Sequence, residues 1–207
     1  MDKFSSWNAD AVLARYMVDG DKDFMLDMKK DLETEYQRWE RTNRLKNGLY
    51  WQGDVQDGME ESISGGRKKK YARPTINSYM YGNAKALSLM GILSGDEGAA
   101  MRYGMKADTL KTLVDTELWN TRHQFFETMR TDSSANVREA IGYIPWYFNL
   151  PDTAKKYEVA WKEIMDEKGF SAPYGLTTAE RRHPEFRTRG VGKCEWDGAI
   201  WPFASAQ

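Results

Sequence analysis

The 207-residue sequence predicts an all-α fold of antiparallel helix hairpins with long loops gathered at one end. Apolar residues recur every three or four positions over several segments, which is helical spacing. The links between segments alternate between a few residues and roughly fifteen to thirty, and loops that long are uncommon in compact domains unless they serve function. Ser5 and Ser6 are placed to cap a helix running to about Val18, with Trp7, Ala11, Ala14 and Val18 on one face. Asp19-Gly20-Asp21 breaks it. A second helix, about Asp23 to Thr42, repeats Phe24, Met28, Leu32, Tyr36 and Trp39, and the short link predicts a hairpin. Pro74, tolerated at a first helical position, opens a third helix carrying Ile76, Met80, Ala84, Leu87 and Gly91. Gly95-Asp96 ends it and caps a fourth, to about Leu118, with Ala100, Tyr103, Ala107, Leu110 and Val114 on one face. Trp119 to Ala135 is a second long connection, with a short strand predicted within 124–128. Val137 to Phe148, interrupted by Pro145, and Asp152 to Lys168, with Tyr157, Ala160, Trp161, Ile164 and Met165 inward, predict a third, less regular pair. Gly169 to Ala199 is the third long connection, and a final helix is expected from near Ile200. No repeat of thirty-odd residues is visible, so a solenoid stands second as the architecture.

Composition bounds the function. The length suits one domain, and 41% hydrophobic residues supply a core. Net charge is −1, from 30 basic and 31 acidic residues, which argues against a nucleic-acid or membrane-surface binder. Cys194 is alone, so no intrachain disulfide can form, and with His123 and His183 it does not make a zinc pattern. No apolar run approaches the ~20 residues that span a bilayer, and Met1 to Asn8 does not read as a signal peptide. Eight Trp and eleven Tyr are the unusual feature. Trp and Tyr suit a surface that must be apolar and hydrogen-bonding together, as a sugar-binding surface must be, although each one singly is more often core.

Gly48 to Gly66 draws attention among the loops. It carries Asp54, Asp57, Glu60 and Glu61 beside Tyr50 and Trp51, and its five glycines exclude a packed helical face. A solvated acidic connection is the simpler reading. The functional one is glycoside cleavage, which needs one protonated and one ionised carboxyl; crowding and partial desolvation raise one carboxyl pKa above its neighbours'. Glu60 and Glu61 are adjacent, so only one should face an opening, while Asp54 and Asp57 are not separable from Glu60 on these grounds. If successive hairpins pack side by side, the same end also gathers Arg138, Glu139, Trp146, Glu180 and Glu195 to Trp201. D-V-Q-D-G-M-E-E does not match the spacing of a calcium loop, Cys194 has no basic partner nearby in sequence, and Gly65-Gly66 lacks the ending of a phosphate-binding loop.

Asp57 to Ser62, D-G-M-E-E-S, resembles the S-G-M-D-N-S segment of the mannosylglycerate hydrolase-like and processing α-glucosidase-like glycoside hydrolases, relatives of trehalase in the six-hairpin glycosidase superfamily. R-P-T-I-N-S-Y at Arg73 to Tyr79 is similar to the helix start with their L-N-x-x-L pattern, and E-W-D-G-A-I-W-P at Glu195 to Pro202 resembles their Y-W-R-G-P-I-W-P. The three occur in the family's order. The resemblance implies an (α/α)6 toroid with a central funnel at the long-loop end, and an inverting hydrolase that uses no cofactor; from the residue spacing itself no metal is expected. Glu60 takes the place of the family's general-acid Asp, one methylene longer, with Asp57 beside it as the second candidate catalytic residue. Tyr50, Trp51, Asn77, Trp146, Trp196 and Trp201 are the expected sugar contacts. Asp197 and Ala199 replace an Arg and a Pro of the last motif.

Length departs from the family. Twelve helices of about fifteen residues need roughly 300 residues with their connections, and the family's catalytic base lies beyond the W-P segment. The chain is therefore expected to be one incomplete catalytic domain, weak or inactive alone, with a glycoside or oligosaccharide as substrate and self-association through the exposed ends of the incomplete toroid. The alternative is a non-catalytic helical module that binds carbohydrate or protein.

Overall fold

The computed structural model describes residues 4–59, 61–151, 156–188 and 196–202. Four long helices dominate: α1 (Asn8–Asp19), α2 (Lys22–Asn43), α3 (Pro74–Ser94) and α4 (Glu97–Leu113). Gly20 ends α1 in the left-handed region at φ 73°, and Asp21 then caps α2 by accepting from the Phe24 amide. The third and fourth helices repeat this device, with Gly95 in the left-handed region and Asp96 accepting from the Ala99 amide. A glycine releases the chain from one helix, and an aspartate two or three residues before the next apolar position starts the other. Both hairpins are those the sequence predicts.

Helix α3 is the axis of the packing. It touches α1, α2 and α4, and Ile76, Met80, Ala84, Leu87 and Gly91, the stripe read from the sequence, are all buried. Helix α2 buries Leu32, Tyr36 and Trp39 as expected, and α4 buries Tyr103, Ala107 and Leu110. The chain after Leu113 continues through a single wide π turn, Val114–Leu118, in which Val114 and Leu118 remain buried.

Three expectations are corrected. Helix α1 turns a different face inward: Ala9 and Leu13 are buried, whereas Ala11 and Ala14 are exposed and Val18 is 90% exposed. The cause is a long-range cap. Asn83 on α3 accepts from the amides of Ala9 and Asp10 through its Oδ1, at 3.0 and 3.4 Å, and its Nδ2 donates to the Ser6 carbonyl. Ser5 and Ser6 are engaged elsewhere, Ser5 Oγ donating to the Gln56 carbonyl and Ser6 Oγ to Glu35. The second correction concerns the third pair. Residues 140–147 form a 3-10 turn and one α turn, α5 (Ile144–Tyr147), and residues 158–165 a 3-10 turn followed by α6 (Lys162–Met165), while positions 152–155 of the expected second helix lie outside the described residues. Pro145 starts rather than continues a helix. A Cβ on Gly142 would lie 2.3 Å from the Phe125 ring and from the Phe126 carbonyl, so the segment is pressed flat against its neighbour. The third correction follows: Tyr157 and Ala160 are buried, but Trp161 is 42% and Met165 81% exposed. The final helix from Ile200 falls mostly outside the described residues.

Short antiparallel pairs tie the long connections together. β1 (Trp51–Gln52) pairs with β2 (Tyr71–Ala72), β3 (Trp119–Asn120) with β4 (Phe125–Phe126), and β5 (Ser171–Ala172) with β6 (Gly175–Leu176). The strand expected within 124–128 is β4. Single bridges join Ala72 to Met129, Glu139 to Ala179 and Thr177 to Ile200. The described parts of the three long connections are thus tied to one another through the backbone. Among the described residues no helix is long and apolar enough to cross a membrane.

Candidate active site

The loop between α2 and α3 is held by its own acids. From Gly53 it enters a 3-10 turn, Asp54–Asp57, and turns at Gly58. Asp54 accepts from the Ser62 amide and hydroxyl at 2.8 and 2.9 Å and from the Gly66 amide at 2.6 Å, clamping the far side of the loop. Asp57 Oδ2 accepts from Arg73 Nε at 2.7 Å, Gln52 Nε2 at 3.0 Å and Thr75 Oγ1 at 2.9 Å. Both side chains of the Arg73–Asp57 pair are fully buried. Glu61 is the exposed member, paired with Arg67 at 3.2 Å. Glu60 lies outside the described residues, between Met59, which is wholly buried, and Glu61.

Arg73 immediately precedes α3 and reaches several parts of the loop at once. Besides Asp57, its guanidinium donates to Ser64 Oγ at 3.1 Å and to Met59 Sδ at 3.3 Å. Burial opposes its charge, but the carboxylates of Asp57, Asp54 and Glu139 outweigh burial and hold its pKa above the usual value. Ser64 passes the network on. Its amide donates to Glu139 Oε1 at 3.1 Å, its hydroxyl bonds Glu139 Oε2, and it lies 3.0 Å from Thr128 Oγ1. Burial pushes the Glu139 carboxyl up to about 7, against the charge of Arg73 and the Ser64 hydrogen bonds, which pull it down. Glu180 is held separately, accepting from the Arg138 amide at 3.0 Å and from its guanidinium at 2.6 Å.

The last motif joins the loop through the backbone. The Trp196 amide donates to the Glu61 carbonyl at 2.8 Å, and Thr178 Oγ1 donates to the Trp196 carbonyl at 2.9 Å. The Trp196 and Trp201 rings stack with centroids 4.9 Å apart and planes 22° from parallel. Asp197 is buried, with Arg187 Nε 3.8 Å from its carboxylate. The stretch D-G-M-E-E-S therefore touches both R-P-T-I-N-S-Y and E-W-D-G-A-I-W-P, although up to about 140 residues separate them.

A cleft of about 350 Å³ opens where they meet. The described residues lining it are Phe4, Ser5, Trp7, Gln56, Asp57, Gly58, Tyr79 and Trp201. Of the residues singled out from the sequence, it brings Asp57 and Trp201 together, with Asp57 presenting a carboxylate already spent on Arg73. The others sit elsewhere. Asn77 is fully buried and clamps both backbone groups of Tyr50, accepting from its amide and donating to its carbonyl. Tyr50 lines a groove between α2 and α4. The Trp51 ring lies 4.4 Å beneath the Lys70 ammonium. Trp146 packs in an aromatic cluster with Phe126, Tyr143 and Trp161. Sequence reasoning missed Phe4, Trp7 and Tyr79 as cleft residues. Trp7 looked like part of a helix face, and its true signal was its position at the N-terminal end of α1, where the loops gather. Among the described residues no three His, Cys, Asp or Glu side chains are grouped to hold a metal ion.

A family model described as the mannosylglycerate hydrolase MGH1-like glycoside hydrolase domain matches residues 2–207. A solved structure named "Sialidase" is 95% identical over the whole of this chain, with a TM-score of 0.97, and the chain covers 19% of it. The GH63 mannosylglycerate hydrolase from Thermus thermophilus, in complex with glucose, is 13% identical with a TM-score of 0.79; the match covers 99% of this chain and 60% of that one. An uncharacterized conserved protein from the same organism matches equally well, with 64% of its chain covered. The chain thus spans under a fifth of the first of these structures and less than two thirds of the others. No curated protein matches.

Proposed function

Because the chain belongs to the mannosylglycerate hydrolase MGH1-like glycoside hydrolase family, we propose that it supplies the acid-bearing part of an inverting glycosidase site. In this reading Glu60 delivers the proton to the leaving glycosidic oxygen. The observation that carries it is the convergence of the three motifs on one aromatic cleft. A sugar ring resting on Trp201 and Trp7 would lie beside the loop segment 58–61. With Asp54 and Asp57 consumed by internal hydrogen bonds, Glu60 is the acid of that loop left for chemistry, because Glu61 is drawn outward to Arg67.

Inversion needs a second carboxylate roughly 6.5–9.5 Å across the scissile bond to activate water. We assign that base to the part of the six-hairpin ring that this chain does not span. The longer structure named a sialidase suggests a sialic acid glycoside as one substrate to try. Asp57 is a positioning residue here: it fixes Arg73, and Arg73 fixes Met59 and Ser64 on either side of Glu60.

The test is Glu60→Gln in the longest polypeptide that carries this chain, assayed on aryl glycosides. Loss of a positioned general acid should lower kcat/KM by about 100- to 10,000-fold, with product anomers read by NMR showing inversion in the parent protein. Unchanged hydrolysis would remove Glu60 from the role. The buried state of Asp54 and Asp57 also favours a second reading, a carbohydrate-binding module without chemistry. It predicts sugar-induced quenching of Trp fluorescence with no turnover in that same polypeptide.

A further inference from the structure

A second cavity is larger than the cleft. A groove of about 460 Å³ runs between α2 and α4 and shares none of the cleft's described lining residues. Its floor is Tyr36, Tyr50 and Leu110, its walls carry Met101 and Met105, and its charged groups are Glu40, Arg44, Arg102 and Lys106.

The charges do not balance within the groove. Glu40 is paired with Lys106 and accepts from Tyr50 Oη at 3.4 Å. That leaves Arg44 and Arg102, both exposed and neither in an ion pair among the described residues. Arg102 is braced over the Tyr103 ring at 5.2 Å, which holds its guanidinium at the rim. Beneath them is a weakly bonded polar group. Tyr36 is 2% exposed, and its hydroxyl has the Tyr50 hydroxyl beside it but makes no hydrogen bond of normal geometry among the described residues. The Tyr36 ring is fixed edge-to-face on Tyr103, with centroids 5.4 Å apart at 84°, and the Lys106 ammonium lies 5.5 Å from it. A ligand with a carboxylate, several hydroxyls and one apolar face meets each of these features.

We propose that the groove between α2 and α4 is a second binding site, for a carboxylated sugar. Arg44 and Arg102 meet the carboxylate, the sugar ring lies against Met101, Met105 and Tyr50, and a ring hydroxyl approaches Tyr36. The planar fork of arginine suits a carboxylate better than a point charge does. The site is separate from any hydrolysis in the cleft, so either reading can fail without the other.

The experiment is calorimetric titration of the longest polypeptide carrying this chain with D-glucuronate, D-glucose and inorganic phosphate. Saturable glucuronate binding is expected, at least tenfold tighter than glucose or phosphate. The double variant Arg44→Ala/Arg102→Ala should weaken it tenfold or more, and Tyr36→Phe several-fold, with circular dichroism unchanged in each. Trp201→Ala, which alters the cleft, should leave it intact. The proposal is overturned by absence of glucuronate binding, as when another part of the longer polypeptide fills the groove. Binding matched by phosphate, lost in Trp201→Ala, or insensitive to the arginine variants overturns it as well.

Discussion

Arg73 and Glu139 show how much of the candidate site is decided by single buried charges. Arg73 is fully buried against Asp57, and breaking such a pair by removing one partner leaves the other charge uncompensated, at a cost of about 3–5 kcal/mol. Arg73→Met should therefore lower the urea midpoint far more than Arg67→Met, whose exposed pairing with Glu61 is worth at most about 1 kcal/mol. Equal midpoints would contradict the role given to the network. Glu139 acts in the opposite sense. Its pKa is raised from 4.5 to about 7 in the fold, first by burial, so the folded chain holds a proton that the unfolded chain releases. Stability from this group is complete below pH 4.5 and is lost as pH rises through about 7. Glu139→Gln, which stays neutral, should flatten stability between those limits; chemical denaturation at pH 5 and pH 8 checks it, and an unaltered slope would refute it. None of this was legible in the sequence. Asp54, Asp57 and Glu60 were indistinguishable as neighbours in an acidic loop, because what separates them is a guanidinium sixteen residues beyond Asp57 and the amides that the loop folds back on them. What was legible was the loop itself, as a stretch too rich in glycine to be helix.

At the scale of elements, the first two hairpins could be read because their determinants are local. A glycine, an aspartate and a 3.6-residue stripe lie within one segment, and they outweigh what the rest of the chain does. The third pair could not be read. Its apolar content is helical in spacing, yet Pro145 and the close approach of Gly142 to Phe125 reduce its first member to single turns. The face of α1 was misread for a related reason: its cap comes from Asn83, seventy-odd residues away. The α3–α4 hairpin offers a direct test of how tightly elements meet. A Cβ on Gly91 would lie 2.6 Å from the Ala100 backbone nitrogen, and backbone does not yield as a side-chain tip does. Although alanine is the better helix former by about 1 kcal/mol, Gly91→Ala should destabilise the chain by about 1–3 kcal/mol through overpacking. Gly104→Ala on α4, whose nearest neighbour is the Ser88 hydroxyl at 3.3 Å, should cost less. A stabilising Gly91→Ala in thermal denaturation would show that the two helices can separate freely.

For the molecule as a whole, the governing fact is that the chain spans 60% of the Thermus thermophilus mannosylglycerate hydrolase it resembles in fold. Met17, Val18 and Ile92, near the C-terminal ends of α1 and α3, are 73%, 90% and 65% exposed. Large apolar side chains left this exposed are the groups through which copies of a chain can meet. The isolated chain is therefore expected to associate with itself, its weight-average sedimentation coefficient rising with concentration. A Met17→Lys/Val18→Lys/Ile92→Lys variant should suppress that rise while keeping the helical circular dichroism of the parent. A concentration-independent monomer for the unmodified isolated chain would mean that the described hairpins already close their own core.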